Sequence, residues 1–286
     1  MMIALELLKG LDKLGIKYRF NDYKYAKNNP TELIGVIGKP HLIFEKKFKN
    51  PILFGAGIYS HPIECPNLFE LYPNVKKILV PGNWIKEMFK PYYKDKVSAW
   101  PVGIDTDKWN PSIKKQRQYD FLIYDKIRWE HKKIETSLIK PIIQTLENLN
   151  YSYTILEYGS YHPNELIEKL AISSSAIFLC EHETQGQAYQ QILSTDTPIL
   201  AWDRAGFWED PYYYPNKIKY QPVSSVPYWD KNCGEKFKSM SDFHEVLETF
   251  TKKLKNREFE PRAYILSNLT LEICAQKYVE IYKSLY

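Results

Sequence analysis

The chain has 286 residues, 44% of them hydrophobic and 15% aromatic, enough for one large packed core or two modest ones and too much for a disordered chain. Its formal net charge of +5 is unevenly spread: residues 1–110 hold 17 Lys/Arg against 11 Asp/Glu, and the remainder 22 against 23. No apolar run approaches the ~20 residues of a bilayer crossing, and Glu6, Lys9, Asp12 and Lys13 interrupt the stretch where a secretory leader would be apolar, so a cytoplasmic protein is expected.

Apolar residues at 3, 4, 7, 8, 11 and 14 predict an amphipathic helix over 1–14, stopped by Gly15. Short apolar runs at 16–20, 33–37, 41–44, 51–54 and 77–80, divided by Gly, Pro and Asn, predict strands. A helix over 83–93, with Asn83 as its cap, and a strand over 97–101 follow. The stretch 103–111 and the polar run 112–118 break the pattern and predict a linker, giving a first domain over 1–110. A second series then begins, with strands at 119–124, 151–157, 175–179 and 198–202 and helices at 135–149, 163–170 and 187–194. A Tyr/Pro-rich loop and helices at 241–254 and 269–285 close the chain. The alternation predicts two α/β domains with largely parallel sheets, 1–110 and 111–268, and a terminal helical segment over 269–286. The four cysteines form no Cys-x-x-Cys pair and read as reduced thiols, so neither a zinc site nor a disulfide framework is expected.

The most informative segment is Cys180-Glu181-His182-Glu183-Thr184-Gln185-Gly186-Gln187, which joins a buried strand to a helix through a polar turn with a central glycine. Such a turn can present free backbone N–H groups to an anion, and a diphosphate would suit it. The Lys-rich turn Lys126-Ile127-Arg128-Trp129-Glu130-His131-Lys132-Lys133 follows the first strand of the second series and offers cations beside it. In the first domain, the loop 55–62 with His61 follows a strand end, where open α/β sheets bind ligands; His61 is a candidate for approaching the reacting group and Glu64 a weaker one.

The spacing of Glu183, Gly186 and Gln191, followed by Thr197-Pro198-Ile199, resembles the donor motif of glycosyltransferase family 4, the glycosyl-transferases group 1 proteins. Val80-Pro81-Gly82-Asn83-Trp84 and Pro101-Val102-Gly103-Ile104-Asp105-Thr106 are similar to two further segments of that family, so the resemblance covers nearly the whole chain. It implies a GT-B fold, two Rossmann-like domains facing a cleft, with the terminal helix crossing back toward the first. It also implies transfer of a sugar from a nucleotide-sugar donor with retention of configuration, without metal or other cofactor. Glu183, His61, Arg128 and Lys132 are then the expected catalytic residues, and Lys126, Lys133, Gln185, Gly186, Gln187 and Gln191 the expected donor-binding ones. The Asp105-Thr106-Asp107 triplet lies in the linker and is not expected to hold a divalent ion.

Two departures stand out. Gln191 occupies the place of the family's second glutamate, losing charge assistance toward ribose hydroxyls, and the strand and glycine-rich loop that precede the first helix in the family have no counterpart, so the first domain is expected to be shortened at its N-terminus. These departures keep a catalytically silent sugar-nucleotide-binding protein open as an alternative. A nucleic-acid-modifying glycosyltransferase is the other, although no nucleic-acid motif is present. The acceptor is expected to be a glycan or a lipid-linked sugar. The interleaved Trp84, Lys86, Met88, Phe89, Lys90 and Lys94 suit peripheral contact with an anionic membrane, and they suit better a core-packed helix with solvated lysines.

Overall fold

The computed structural model describes residues 2–57, 59–162 and 164–286. Met1 and Pro163, where two of the expected helices were to begin, and Ile58 in the 55–62 loop lie outside the described residues. The chain divides into two compact units, Met1–Asp105 with Asn268–Tyr286, and Thr106–Ser267. The division falls before residue 110 because the linker's last residues are tied into the second unit. Arg262 donates through Nη2 to the Thr106 carbonyl at 3.2 Å and through Nη1 to the Trp109 carbonyl at 3.0 Å.

The first unit contains strands β1 (Ile34–Val36), β2 (Ile52–Gly55), β3 (Val75–Val80) and β4 (Val97–Ala99), all parallel and adjacent in that order. Its helices up to residue 105 are α1 (Met2–Lys13), α2 (Tyr23–Asn28), α3 (His41–Lys46), α4 (Leu68–Leu71) and α5 (Asn83–Tyr93). The second unit contains β5 (Tyr119–Asp125), β6 (Tyr153–Glu157), β7 (Ser173–Leu179), β8 (Ile199–Trp202) and β9 (Gly234–Phe237), with helices α6 (His131–Ile134), α7 (Lys140–Asn148), α8 (Glu165–Ala171), α9 (Gln187–Ser194), α10 (Met240–Lys255) and α11 (Pro261–Asn268). The last helix, α12 (Leu271–Lys283), belongs to the first unit.

In the first unit, side chains alternate across the pleat. Leu53 and Leu79 therefore share one face, where they pack with Leu7 and Leu11 of α1, Ala275 and Tyr278 of α12, and Trp100. The Trp100 indole donates to the Cys274 carbonyl at 2.9 Å. Helices α1 and α12 meet at Gly10, where an added Cβ would stand 2.4 Å from the Leu271 carbonyl oxygen.

The second sheet runs β6-β5-β7-β8-β9, all parallel. From β5 the chain crosses to β6 on one side and then to β7 on the other. The carboxyl ends of β5 and β7 therefore flank the topological switch point, the place where open α/β sheets bind ligands. Phe121, Ile123, Ile177, Leu179 and Leu200 pack with α7 and α10 on one face. On the other, Phe178 stacks on Tyr124 at 5.6 Å and meets Tyr189 of α9, which seats that helix against the sheet.

Several expectations are corrected. Residues 16–20 form no strand; Tyr18 and Phe20 are exposed, and no described strand lies beside them. Residues 41–44 begin α3 instead of a strand, because only Ile43 of that apolar run is buried. The cap position of α5 is Gly82, with no side-chain capping bond, and Asn83 is already helical. The helix expected at 135–149 starts with α6 and passes through a π-turn at Glu135–Ile139. Strand β9 and the short helices α2, α4 and α11 had no counterpart in the sequence reading.

Candidate active site

The site is built where β5 and β7 end. The ladder between them pairs Asp125 with Leu179 and continues one bond further, from the Lys126 amide to the Leu179 carbonyl at 2.7 Å. Beyond that point the two loops are joined by side chains. Lys126 reaches across to the Glu183 carboxylate, with 11% of the lysine side chain and 8% of the glutamate exposed. Burial works against the lysine's charge, but Glu183, together with Cys180 and Tyr158, more than offsets it and the pKa moves up. The Tyr158 ring lies 4.6 Å from the same ammonium.

Glu181, with 2% of its side chain exposed, accepts from the backbone amides of Arg128 at 2.8 Å and Trp129 at 2.9 Å through one oxygen. Its other oxygen lies 3.7 Å from Arg128 Nε. Arg128 also donates to the His182 carbonyl at 2.7 Å, and its guanidinium lies 4.7 Å from the centre of the Trp129 ring. Burial, with Arg128, Arg204 and Lys126 nearby, pushes the His182 imidazole down to about 2, so the ring is neutral. The Trp208 indole N–H can only donate, and at 3.2 Å it makes His182 Nε2 the acceptor, leaving the ring proton on Nδ1.

Gly186 sits at the cap position of α9 with φ +74, and a Cβ there would fall 2.0 Å from the Tyr189 ring, so both backbone conformation and space require glycine. No side chain caps this helix, and its first amides point out of its N-terminal end. Gln185 and Gln190 are buried and exchange hydrogen bonds, Gln185 Nε2 to Gln190 Oε1 at 3.1 Å and Gln190 Nε2 to the Gln185 carbonyl at 2.7 Å. This pair fixes the turn, while Gln187 and Gln191 stay partly exposed on α9.

The loop after β8 covers the same end. Asp203 accepts from the Ser225 amide at 3.0 Å, the Ser224 hydroxyl at 3.1 Å and Lys236 Nζ at 2.9 Å. Ser224 in turn accepts the Glu183 amide at 2.8 Å through its carbonyl.

Of the residues expected from sequence, Lys126, Arg128, Glu183, Gln185 and Gly186 come together here. Lys132 is exposed on α6, and Lys133 is exposed and pairs with Glu130 at 2.8 Å. His61 belongs to the first unit, where it is buried. Its Nδ1 accepts the Ile63 amide at 3.0 Å, and burial lowers its pKa to about 4 against an opposing pull from Glu64. Glu64 accepts the Ser60 amide at 2.8 Å, so both residues hold this turn. Sequence reasoning missed the roles of Glu181, His182, Asp203, Arg204 and Trp208. Only the unusual density of charge in Glu181-His182-Glu183 could have pointed to the first two. Among the described residues no group of three or more His, Cys, Asp or Glu is placed to hold a metal ion, and all four cysteines are buried and unbridged.

No family model matches the chain, and no curated protein sequence matches it. Solved structures do. The GtfA/B complex aligns over 93% of this chain and 62% of its own, at 14% identity and a TM-score of 0.58. A sucrose-phosphate synthase from Thermosynechococcus elongatus aligns over 92% and 75%, at 10% identity and a TM-score of 0.58. The pneumococcal O-GlcNAc transferase GtfA, solved with UDP and GlcNAc, aligns over 92% and 59%, at 14% identity and a TM-score of 0.51. The fold is GT-B. At such identities the likeness is one of fold, and this chain spans less than two thirds of the GtfA/B chain it matches. Within the GT-B fold, the charged cluster of Lys126, Arg128, Glu181 and Glu183 occupies the switch point of the second parallel sheet.

Proposed function

We propose that this chain transfers a sugar from a nucleotide-sugar donor to an acceptor hydroxyl, with the donor held by the second unit. The observation that carries the reading is the Lys126–Glu183 pair at the switch point, beside Arg128 and the uncapped start of α9. Lys126 and Arg128 supply positive charge where a diphosphate would gather negative charge on leaving. The α9 amides supply hydrogen-bond donors for the same phosphates. Glu183 accepts hydrogen bonds from donor sugar hydroxyls, and Gln187 and Gln191 stand where ribose would be met. Lys132 and Lys133, being exposed, act as an outer rim of charge. The UDP bound to the pneumococcal transferase is the kind of nucleotide this arrangement suits.

In the proposed reaction the bond from the sugar's C1 to the diphosphate oxygen breaks as the acceptor oxygen bonds to C1. The acceptor's proton passes to the departing diphosphate, so configuration is retained without an enzyme nucleophile. Metal independence is part of the proposal because protein cations and amides can take the neutralising role. His61, neutral at ordinary pH, is assigned to the acceptor side, and the acceptor is a glycan or a lipid-linked sugar. Any bilayer contact by the first unit is electrostatic, through exposed Lys90 and Lys94. Met88 and Phe89 are 2% and 1% exposed and cannot insert, and among the described residues no helix is long and apolar enough to cross a membrane.

The test is a thermal-shift and calorimetric screen of UDP, GDP and ADP in the presence of a chelator, followed by donor turnover against Glu183→Ala. A bound nucleotide at ~100 times its dissociation constant is expected to add about 2.7 kcal/mol of stability. Strict dependence on manganese or magnesium overturns metal independence. Failure of every nucleotide overturns the donor reading, and binding without turnover identifies a sugar-nucleotide-binding protein instead.

A further inference from the structure

We propose that Glu181 is a positioning residue: it replaces the finished strand ladder with a side-chain bridge that sets Arg128 at the donor phosphates. The proposal rests on the donor reading above and adds a residue that makes no contact with substrate. The ladder between β5 and β7 ends with the Lys126 amide on the Leu179 carbonyl. Two residues after that carbonyl, the Glu181 carboxylate turns back and accepts the Arg128 and Trp129 amides at 2.8 and 2.9 Å. A loop leaving a strand is ordinarily free to drift, and its backbone donors must find water or another partner. Here both donors are satisfied by one buried carboxylate from the neighbouring strand's loop. Arg128 is therefore fixed at its backbone by Glu181, while the His182 carbonyl takes its Nη2 hydrogen at 2.7 Å.

The chemistry explains why the bridge is a carboxylate. A carboxylate oxygen accepts two hydrogens at once, and its charge opposes that of Arg128, so it draws in the residue it positions. Hydroxyl side chains are too short to span both amides from the same place, and an apolar residue would leave two donors unmet. The carboxylate is almost fully covered, so it is not itself available to a ligand.

The experiment measures inorganic pyrophosphate and UDP binding by calorimetry, melting temperature, and amide hydrogen exchange at Arg128 and Trp129, in wild type, Glu181→Ala, Glu181→Gln and Leu247→Ala. Leu247, a buried core residue of α10 outside the site's polar cluster, serves as a destabilised control. Glu181→Ala is expected to weaken both ligands about tenfold and to speed exchange at the two amides. Glu181→Gln keeps an oxygen that accepts both amides but loses the charge that draws in Arg128, and is expected to recover the protection and part of the affinity. Leu247→Ala is expected to lower the melting temperature with ligand affinity unchanged. Wild-type binding with no loss in Glu181→Ala overturns the proposal alone, as does a Glu181→Gln variant no better than the alanine one, or an equal affinity loss in Leu247→Ala. Absence of wild-type binding to either ligand overturns the donor reading and this proposal together.

Discussion

Lys126 and Glu183 form an ion pair between the loops that leave adjacent strands, almost completely shielded from solvent. Breaking such a pair from one side leaves a buried charge without compensation, and the usual cost is about 3–5 kcal/mol. Lys126→Met and Glu183→Leu are each expected to lose stability of that order in urea denaturation. The double variant is expected to regain most of it, since the desolvation of both charges disappears together. Nucleotide binding separates stability from function, because the double variant should fold and still fail to bind UDP. A double variant that binds UDP normally would remove the pair from the proposed site.

Gln190 and Gln191 are neighbours with opposite expectations. Gln190 is fully buried and its amide N–H donates to the Gln185 carbonyl, so Gln190→Glu removes a donor and buries a charge, with an expected loss of about 2 kcal/mol or more. Gln191 is partly exposed, so Gln191→Glu is expected to leave the melting temperature unchanged. A carboxylate facing ribose hydroxyls should then tighten UDP by about 1 kcal/mol, a roughly fivefold gain by calorimetry. An unaltered affinity would place ribose elsewhere.

The histidines predict acid sensitivity in a defined window. His61 at about 4 and His182 at about 2 both lie below the ordinary 6.5, so the unfolded chain takes up protons first as pH falls. Stability is therefore lost from pH 6.5 down toward 4 for His61, and on toward 2 for His182, at up to about 1.4 kcal/mol per pH unit for each. His131 has the opposite sign, since its hydrogen bond to Asp125 raises its pKa against the effect of burial. Its contribution is complete below 6.5 and fades as pH rises through the raised value. Urea titrations between pH 7 and 5 test the balance before most carboxylates protonate. His61→Asn keeps a capping acceptor without titrating, and is expected to flatten the slope; an identical slope would remove His61 as its source.

Gly10→Ala opposes two effects of known size. Alanine is the better helix former by about 1 kcal/mol in a helix interior. Its Cβ, however, would meet the Leu271 carbonyl oxygen and the Ala275 Cβ at 2.4 and 2.7 Å, and backbone on the facing helix cannot yield as a flexible side chain would. Overpacking of this kind costs about 1–3 kcal/mol, so a net loss of stability is expected in thermal melts. A rise in melting temperature would mean that α1 and α12 part readily.

What the sequence disclosed follows the range of the interactions involved. Helix α9 was read with its true ends, because Gly186 marks its start and its apolar spacing is local. The strands that carry the switch point were visible as apolar runs, and Lys126, Glu183 and Gly186 as charged and turn residues just beyond their ends. Residues 41–44 misled because a run of three apolar letters after His41 suits either a strand or one turn of helix, and burial of Ile43 alone decides for the helix. Strand β9 escaped because Gly234-Glu235-Lys236-Phe237 has little apolar character and owes its conformation to pairing with β8. Glu181 escaped for a different reason: its partners are backbone amides more than fifty residues upstream, and amides have no letter in a sequence.

The first sheet winds in one direction, β1 to β4, so right-handed crossovers put all its internal connections on one face. The opposite face, with Leu53 and Leu79, is covered by α1 and α12, which come from opposite extremes of the described chain. On the ribosome, residues 271–283 emerge only after the whole of 106–267. The continuous second unit can therefore close on itself during synthesis, while the first waits with half of its sheet bare. The part made first is the part finished last, and Leu53, Leu79 and Trp100 are the surface that a chaperone would meet in the interval.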